Sequence, residues 1–231
     1  MSFEVRHSDL AGRIGQLKTM HGVLETPAFL PVVHPIDQII KPQFLRDLGF
    51  KAVITNAYIT FKRHKEQAIQ RGIHKLIDFD GIVMTDSGGY QVLEYGDIEI
   101  GPETMAEFQF DIKSDLPVIL DRPTGYGLDY RRASDFVEET LQNARSTASM
   151  IKPKIDPRNQ SDADEVIDIK GPIWVGTIQG AEHLDLVKYS TKELDKIGYD
   201  FFALGSPVEV MEAYDFRLLA KMILTVKEFM P

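Results

Sequence analysis

Short apolar segments alternate with amphipathic helical segments over most of this chain. The apolar segments are rich in β-branched residues, and each ends in a polar or small residue: Asn56, Asp86, Asp121, Gln179 and Gly205. Strand and helix in alternation predict a parallel sheet with right-handed crossover connections. Strands that are apolar along their length and polar at the carboxyl end are typical of a (β/α) barrel. We therefore predict an α/β protein.

The chain has too few predicted strands to close a barrel. Residues 41–231 contain about five barrel strands, whereas a closed barrel needs eight. Before them, residues 3–6 and 13–18 alternate apolar and polar side chains, which predicts antiparallel strands. The predicted domains are an N-terminal antiparallel β-sheet over residues 1–40 and an incomplete (β/α)8 TIM-type barrel over residues 41–231. Residues 152–170, rich in proline and acidic side chains, predict an exposed loop.

Composition narrows the classes of function. The chain has 231 residues, 43% of them hydrophobic, and a net charge of -9, which argues against broad phosphate binding but leaves room for a local basic patch. It has no cysteine, and its histidines lack ligand spacing, so we predict no metal and no cofactor in this chain. No apolar run reaches membrane-spanning length and the start does not resemble a signal peptide, so we expect a cytoplasmic protein with no membrane partner.

Asp86 and Asp121 are the first candidates for chemistry. Both follow apolar strands, and in a barrel both would point into one mouth. Paired carboxylates can divide roles, one as nucleophile or acid/base and the other as acceptor for a donor-rich substrate. The alternative is that each aspartate caps the helix or turn that follows it.

Other residues are weaker candidates for a functional role. Gln179 and Gly180 could donate to a substrate carbonyl or could form an ordinary turn. Ser87 begins a Ser-Gly-Gly turn that could form an anion nest. The clusters 62–65 and 131–132 are basic, although such clusters are more often solvated helix faces. Aromatic residues such as Tyr90 and Phe202 could stack a base but are more often core residues.

Several segments together resemble the tRNA-guanine transglycosylase family, with order and spacing that agree across nearly the whole chain. They are Met84-Thr85-Asp86-Ser87-Gly88-Gly89-Tyr90-Gln91, Thr26-Pro27-Ala28-Phe29-Leu30-Pro31-Val32, Ile54-Thr55-Asn56-Ala57-Tyr58, Ile119-Leu120-Asp121 and Ile178-Gln179-Gly180. Residues 95–100 and the run Leu120-Asp121-Arg122-Pro123-Thr124 are similar to the archaeal branch, which makes archaeosine. That resemblance implies a (β/α)8 barrel preceded by an antiparallel sheet.

The resemblance also implies a reaction: exchange of a guanine in the D-arm of tRNA for 7-cyano-7-deazaguanine through a covalent ribosyl-enzyme. Asp86 would be an essential carboxylate, either the nucleophile or its acid/base partner, with Ser87 beside it. Asp121 would accept hydrogen bonds from guanine N1 and N2. Gln179 would donate to O6, and the remaining base contacts would come from Gly180 and from backbone at Phe202, Ala203 and Leu204.

The chain departs from the family in what it lacks. A second essential aspartate, a zinc site of three cysteines and a histidine, and C-terminal tRNA-binding domains are expected downstream of Pro231. We therefore expect the chain to act as a homodimer or in association with a missing C-terminal portion, with tRNA and guanine or a 7-deazaguanine base as partners. Two alternatives stay open: a non-catalytic partner subunit or base-binding module of the same family, and an unrelated barrel enzyme such as an aldolase. No lysine stands at a strand end, which argues against a Schiff-base enzyme.

Overall fold

The computed structural model describes residues 3–89, 100–151, 171–199 and 201–230. The described residues form two compact units. The first contains residues 3–88, 104–118, 151 and 171–173, and the second contains residue 89 and residues 100–103, 119–150, 174–199 and 201–230. The predicted loop over residues 152–170 and most of the archaeal-type segment at 95–100 lie outside the described residues.

The first unit begins with a three-stranded antiparallel sheet in the order β1-β2-β3. Its strands are β1 (Phe3–Asp9), β2 (Gly12–Thr19) and β3 (Gly22–Thr26). Leu17 and Leu24 are partners across β2 and β3, and both are buried. Apolar and polar residues alternate along these strands because one face of the sheet packs on protein. The predicted N-terminal sheet is confirmed.

A parallel four-stranded sheet follows in the same unit, in the order β4-β5-β6-β7. Its strands are β4 (Val32–Val33), β5 (Ala52–Asn56), β6 (Ile82–Asp86) and β7 (Leu116–Pro117). The register places Asn56 of β5 opposite Asp86 of β6. The prolines around β4 are typical of an edge strand or an irregular segment, and β4 is a two-residue strand at one end of this sheet.

Four helices accompany these strands: α1 (Pro42–Asp47), α2 (Ala57–Arg71), α3 (Ile73–Ile77) and α4 (Pro102–Asp111). Proline at the first turn starts α1, as predicted. Asn56 caps α2, since its side chain accepts a hydrogen bond from Ile59 N at 2.8 Å. The last strand residue of β5 thus also begins the next helix, which fixes where its side chain lies.

The second unit contains a parallel pair, β8 (Val175–Ile178) and β9 (Phe201–Leu204). Its helices are α5 (Tyr130–Ile151), α6 (Leu184–Ile197), α7 (Pro207–Glu212) and α8 (Phe216–Phe229). Asp129 starts α5, where its side chain accepts from Arg132 N at 3.1 Å. The predicted apolar face of α5 is buried at Ala133, Val137 and Leu141, which anchors the helix in the core.

Apolar residues at helical spacing predict a single helix from about Val210 to Phe229, and this prediction is wrong. The chain turns at Tyr214, which has a φ of 56°, and a new helix begins where Asp215 accepts from Leu218 N at 3.0 Å. Six parallel strands occur in the described ranges, one more than predicted, because β4 pairs with β5. These sheets establish the mixed α/β class, and the (β/α)8 barrel stays a prediction. No helix in the described part of the chain is long and apolar enough to cross a membrane.

Candidate active site

Asp86 lies at the carboxyl end of β6, where the parallel register sets it beside Asn56. Asn56 Nδ2 donates to Asp86 Oδ2 at 3.4 Å, and Gly88 N donates to Asp86 Oδ1 at the same distance. The second contact is the turn interaction that we considered as the alternative role for this aspartate. Both hydrogen bonds are long, so they orient the carboxylate while holding it weakly.

Burial raises the pKa of the Asp86 carboxyl above its ordinary value of 3.8, and the backbone N–H groups of Gly88 and Ser87 offset this only in part. A desolvated carboxylate with weak partners is a better nucleophile and a better proton acceptor than one stabilised by a cation. Ser87, the predicted neighbour, is fully buried next to it. The first unit therefore presents a desolvated carboxyl group at a strand end.

Asp121 and Gln179 are brought together in the second unit. Gln179 directly follows β8, and its Nε2 donates to Asp121 Oδ2 at 2.5 Å. Only 9% of the surface of Asp121 and 1% of that of Gln179 is exposed. A buried carboxylate and a buried amide held side by side offer an acceptor and a donor to one edge of a flat polar ligand.

Two hydroxyl side chains that the sequence did not single out complete this pair. Gln179 Oε1 accepts from Thr124 N, Thr124 Oγ1 and Ser206 Oγ, each at 2.9 Å. Thr124 Oγ1 in turn accepts from Gly180 N at 2.9 Å. In the sequence, Thr124 is the last residue of the archaeal-type run and Ser206 follows a strand. Neither position indicated that the hydroxyl would contact Gln179.

Glycines bring backbone close to the pair. A Cβ at Gly89 would overlap Asp121 Oδ1, and a Cβ at Gly205 would overlap Gln179 Nε2. Gly180 has a φ of +144°, and a Cβ there would lie 2.5 Å from Val187 N. These three positions need glycine for space or for conformation. At Gly89 and Gly205 the absence of a side chain lets the backbone approach Asp121 and Gln179 closely.

Comparison with known proteins identifies the family. A family model described as queuine tRNA-ribosyltransferase matches residues 8–231. The chain belongs to this family. The queuine tRNA-ribosyltransferase family is the one that the segments around Asp86, Asp121 and Gln179 resembled, and that prediction is confirmed.

Curated relatives of this chain include three archaeal proteins. The tRNA-guanine(15) transglycosylase of Aeropyrum pernix is 39% identical over 230 residues, which is 99% of this chain and 42% of the relative. The enzyme of the same name from Saccharolobus solfataricus is 44% identical, and the match covers 97% of this chain and 42% of the relative. The one from Nanoarchaeum equitans is 38% identical, and the match covers 96% of this chain and 49% of the relative. The chain therefore spans less than half the length of these relatives.

The other predicted base contacts lie on β9. Phe202, Ala203 and Leu204 are half-buried and pair in parallel with Gly176, Thr177 and Ile178 of β8. Their backbone contact with a base stays a prediction. In the basic cluster at 62–65, Lys65 lies over the ring of Phe61 at 4.4 Å, so this residue packs along its own helix, as the alternative reading expected.

Among the described residues, His21, His74 and Asp115 are close enough to hold a metal ion, with ligand atoms within 4.8 Å of one another. His21 Nδ1 lies 2.8 Å from Asp115 Oδ1, and His74 Nε2 lies 2.9 Å from Asp115 Oδ2. Val83 N also donates to Asp115 Oδ2 at 2.9 Å. Each imidazole thus has a carboxylate oxygen of its own, and hydrogen bonds account for the geometry of the cluster.

Proposed function

We propose that this chain supplies the guanine-recognition pair and the reacting carboxylate of a tRNA-guanine transglycosylase. In the proposed reaction, a guanine of tRNA is replaced by 7-cyano-7-deazaguanine. The buried pair of Asp121 and Gln179 carries the proposal. Guanine presents N–H donors at N1 and N2 beside a carbonyl at O6, and a carboxylate acceptor next to an amide donor is complementary to that edge.

Asp86 is the proposed reacting group. In one role its carboxylate attacks C1′ of the target nucleotide, the bond from C1′ to guanine N9 breaks, and guanine leaves with a proton. The incoming deazaguanine gives up its N9 proton and attacks C1′, which releases the Asp86 carboxylate. In the other role Asp86 transfers these protons and a second carboxylate attacks. The raised pKa supports either role, because burial makes this carboxylate a stronger base than an exposed one.

Isolation of an RNA–protein adduct separates the two roles. If Asp86 is the nucleophile, denaturing gels show a covalent complex with tRNA that Asp86→Asn abolishes. If Asp86 transfers protons, the Asp86→Asn variant still accumulates adduct.

Incorporation of radiolabelled guanine into tRNA tests the proposed reaction itself. It is measured with this chain alone and with this chain joined to the remaining length of the Saccharolobus solfataricus relative. We expect incorporation in the joined protein and its loss in the Asp86→Asn variant of that protein. Unchanged activity in the variant would favour the alternative function, a base-binding module.

Association with further polypeptide is part of the proposal. Helix α8 leaves Phe216, Ile223 and Leu224 exposed, with 57%, 43% and 57% of their surface accessible. Apolar side chains grouped on one helix are typical of protein contact surfaces. We propose a homodimer or a complex with the rest of the catalytic domain, acting on tRNA in the cytoplasm. Sedimentation of the chain, and of a Phe216→Ser/Leu224→Ser variant, tests whether this face mediates self-association.

A further inference from the structure

The carboxamide of Gln179 is bonded at both ends. Its oxygen accepts three hydrogen bonds, two from Thr124 and one from Ser206, and its nitrogen donates to Asp121 Oδ2. Two of these partners cannot exchange donor and acceptor roles: the backbone N–H of Thr124 only donates, and an ionised carboxylate only accepts. An inverted amide would place NH2 against N–H and oxygen against carboxylate, so one orientation is strongly favoured.

We propose that Thr124 and Ser206 are positioning residues that hold Gln179 as an obligate hydrogen-bond donor and so select bases with a carbonyl at this edge. The inference rests on the proposed function, since it deepens how the same pair recognises its base. With Oε1 occupied, only the NH2 group of Gln179 is left to meet a ligand. A 6-oxopurine offers an acceptor there, whereas a 6-aminopurine would bring a second donor against it and leave both unsatisfied.

Thr124 also ties the loop after Asp121 to the end of β8. Its hydroxyl donates to Gln179 Oε1 and accepts from Gly180 N. A hydroxyl that donates and accepts at once is needed at residue 124, and serine retains it while valine has the same shape without it. Threonine at 124 therefore fixes both the amide and the backbone that carries it.

The first experiment measures the amide directly by NMR. In the unaltered chain, the side-chain NH2 of Gln179, assigned by its loss in Gln179→Glu, should give two sharp signals that exchange slowly with water. Thr124→Val combined with Ser206→Ala should broaden them or speed their exchange, and Thr124→Ser should not. Identical signals in the double variant would overturn the inference.

The second experiment measures affinity by calorimetry for guanine and for 6-thioguanine, whose sulfur is a weaker acceptor than O6. The unaltered chain should prefer guanine. The double variant should bind guanine about tenfold more weakly, lose most of the preference over 6-thioguanine, and unfold at a similar temperature, while Thr124→Ser should stay within about twofold of the unaltered chain. A uniform loss for both bases would indicate a merely structural role and overturn the inference.

The two experiments separate the inference from the proposed function. If the unaltered chain binds neither base, base recognition by Asp121 and Gln179 fails, and selection of a carbonyl fails with it. The NMR signals then still decide whether Thr124 and Ser206 fix the amide. If guanine binds and the double variant keeps the full preference over 6-thioguanine, the proposed function stands and the positioning role is wrong.

Discussion

Gln179 Nε2 lies 2.5 Å from Asp121 Oδ2, although the two residues are 58 positions apart in the chain. Each therefore sets the position of the other before any base binds. A pair that is already arranged loses little conformational freedom on binding, which is how a buried site gains affinity from few contacts.

Replacing Asp121 by asparagine should weaken guanine binding by about tenfold to a hundredfold. Asparagine keeps a single acceptor oxygen, so it cannot accept both from Gln179 and from the proposed guanine N1 and N2 donors, and its NH2 group would face one of these donors. Calorimetric titration with guanine measures the change. Asp135→Asn, on an exposed part of α5, is the control and should bind as the unaltered chain does. Full affinity in Asp121→Asn would contradict the assignment of this carboxylate to the base.

Replacing Asp86 by asparagine should lower guanine exchange at least about a thousandfold, the scale seen when a reacting group is removed. Exchange is assayed in the joined protein described above, with the exposed Asp135→Asn again as control. A loss of less than about tenfold would remove Asp86 from the chemistry.

The same substitution should change how stability depends on pH. Because the folded-state pKa of Asp86 is raised above 3.8, the folded chain binds the proton more tightly than the unfolded chain. Its contribution to stability is therefore fully present below pH 3.8 and is lost as the pH rises through the raised value. The measurement is the denaturation midpoint of the unaltered chain minus that of Asp86→Asn at each pH. This difference should fall as the pH rises through that window, and a difference that rises with pH would contradict the burial argument.

Asp115 should act in the opposite direction. Burial alone would raise its pKa, but hydrogen bonds from His74, Val83 N and His21, with the charge of His74, hold the pKa below 3.8. Its stabilisation is present above 3.8 and is lost as the pH falls through the lowered value. Asp115→Asn should cost about 3 kcal/mol of unfolding free energy near neutral pH. Urea denaturation measures this, with exposed Asp111→Asn as a neutral control; equal stability of the two variants would show that the histidine cluster contributes little.

Alanine at Gly205 should disturb the recognition pair, because its Cβ would overlap Gln179 Nε2 and lie 2.9 Å from Ile178 O. We expect guanine affinity to fall about tenfold or more. Gly101→Ala is the matched control, since the nearest atom to a Cβ there is 3.5 Å away. Titration and thermal unfolding of both variants check this, and equal affinities would indicate that the Gln179 side chain moves aside without cost.

Asp121 lies in the loop beyond β7 and not at the strand end where we predicted it. The sequence placed Asp86 and Gln179 at strand ends correctly, because buried strands are continuous apolar runs whose ends are easy to locate. It did not reveal the hydrogen bond between Asp121 and Gln179, since loop geometry decides which strand-end side chains meet. Thr124 and Ser206 were missed because hydroxyl residues in loops usually serve turns.

The fold was predicted unevenly for similar reasons. The apolar face of α5 follows from periodicity, whereas β4 is only two residues long and lies among prolines. Helix α8 was merged with α7 because apolar spacing continues past Tyr214, although Asp215 is a good capping residue. A capping residue such as Asp215 indicates the start of a new helix even where the apolar pattern continues.

The contact between His21 and Asp115 joins residues 94 positions apart, and it holds the turn between β2 and β3. The three-stranded sheet forms from neighbouring hairpins, which close quickly, but this attachment requires closure of a long loop. During synthesis the sheet emerges from the ribosome well before Asp115 does. We therefore expect the sheet to assemble first and to be anchored through its turn only late in folding.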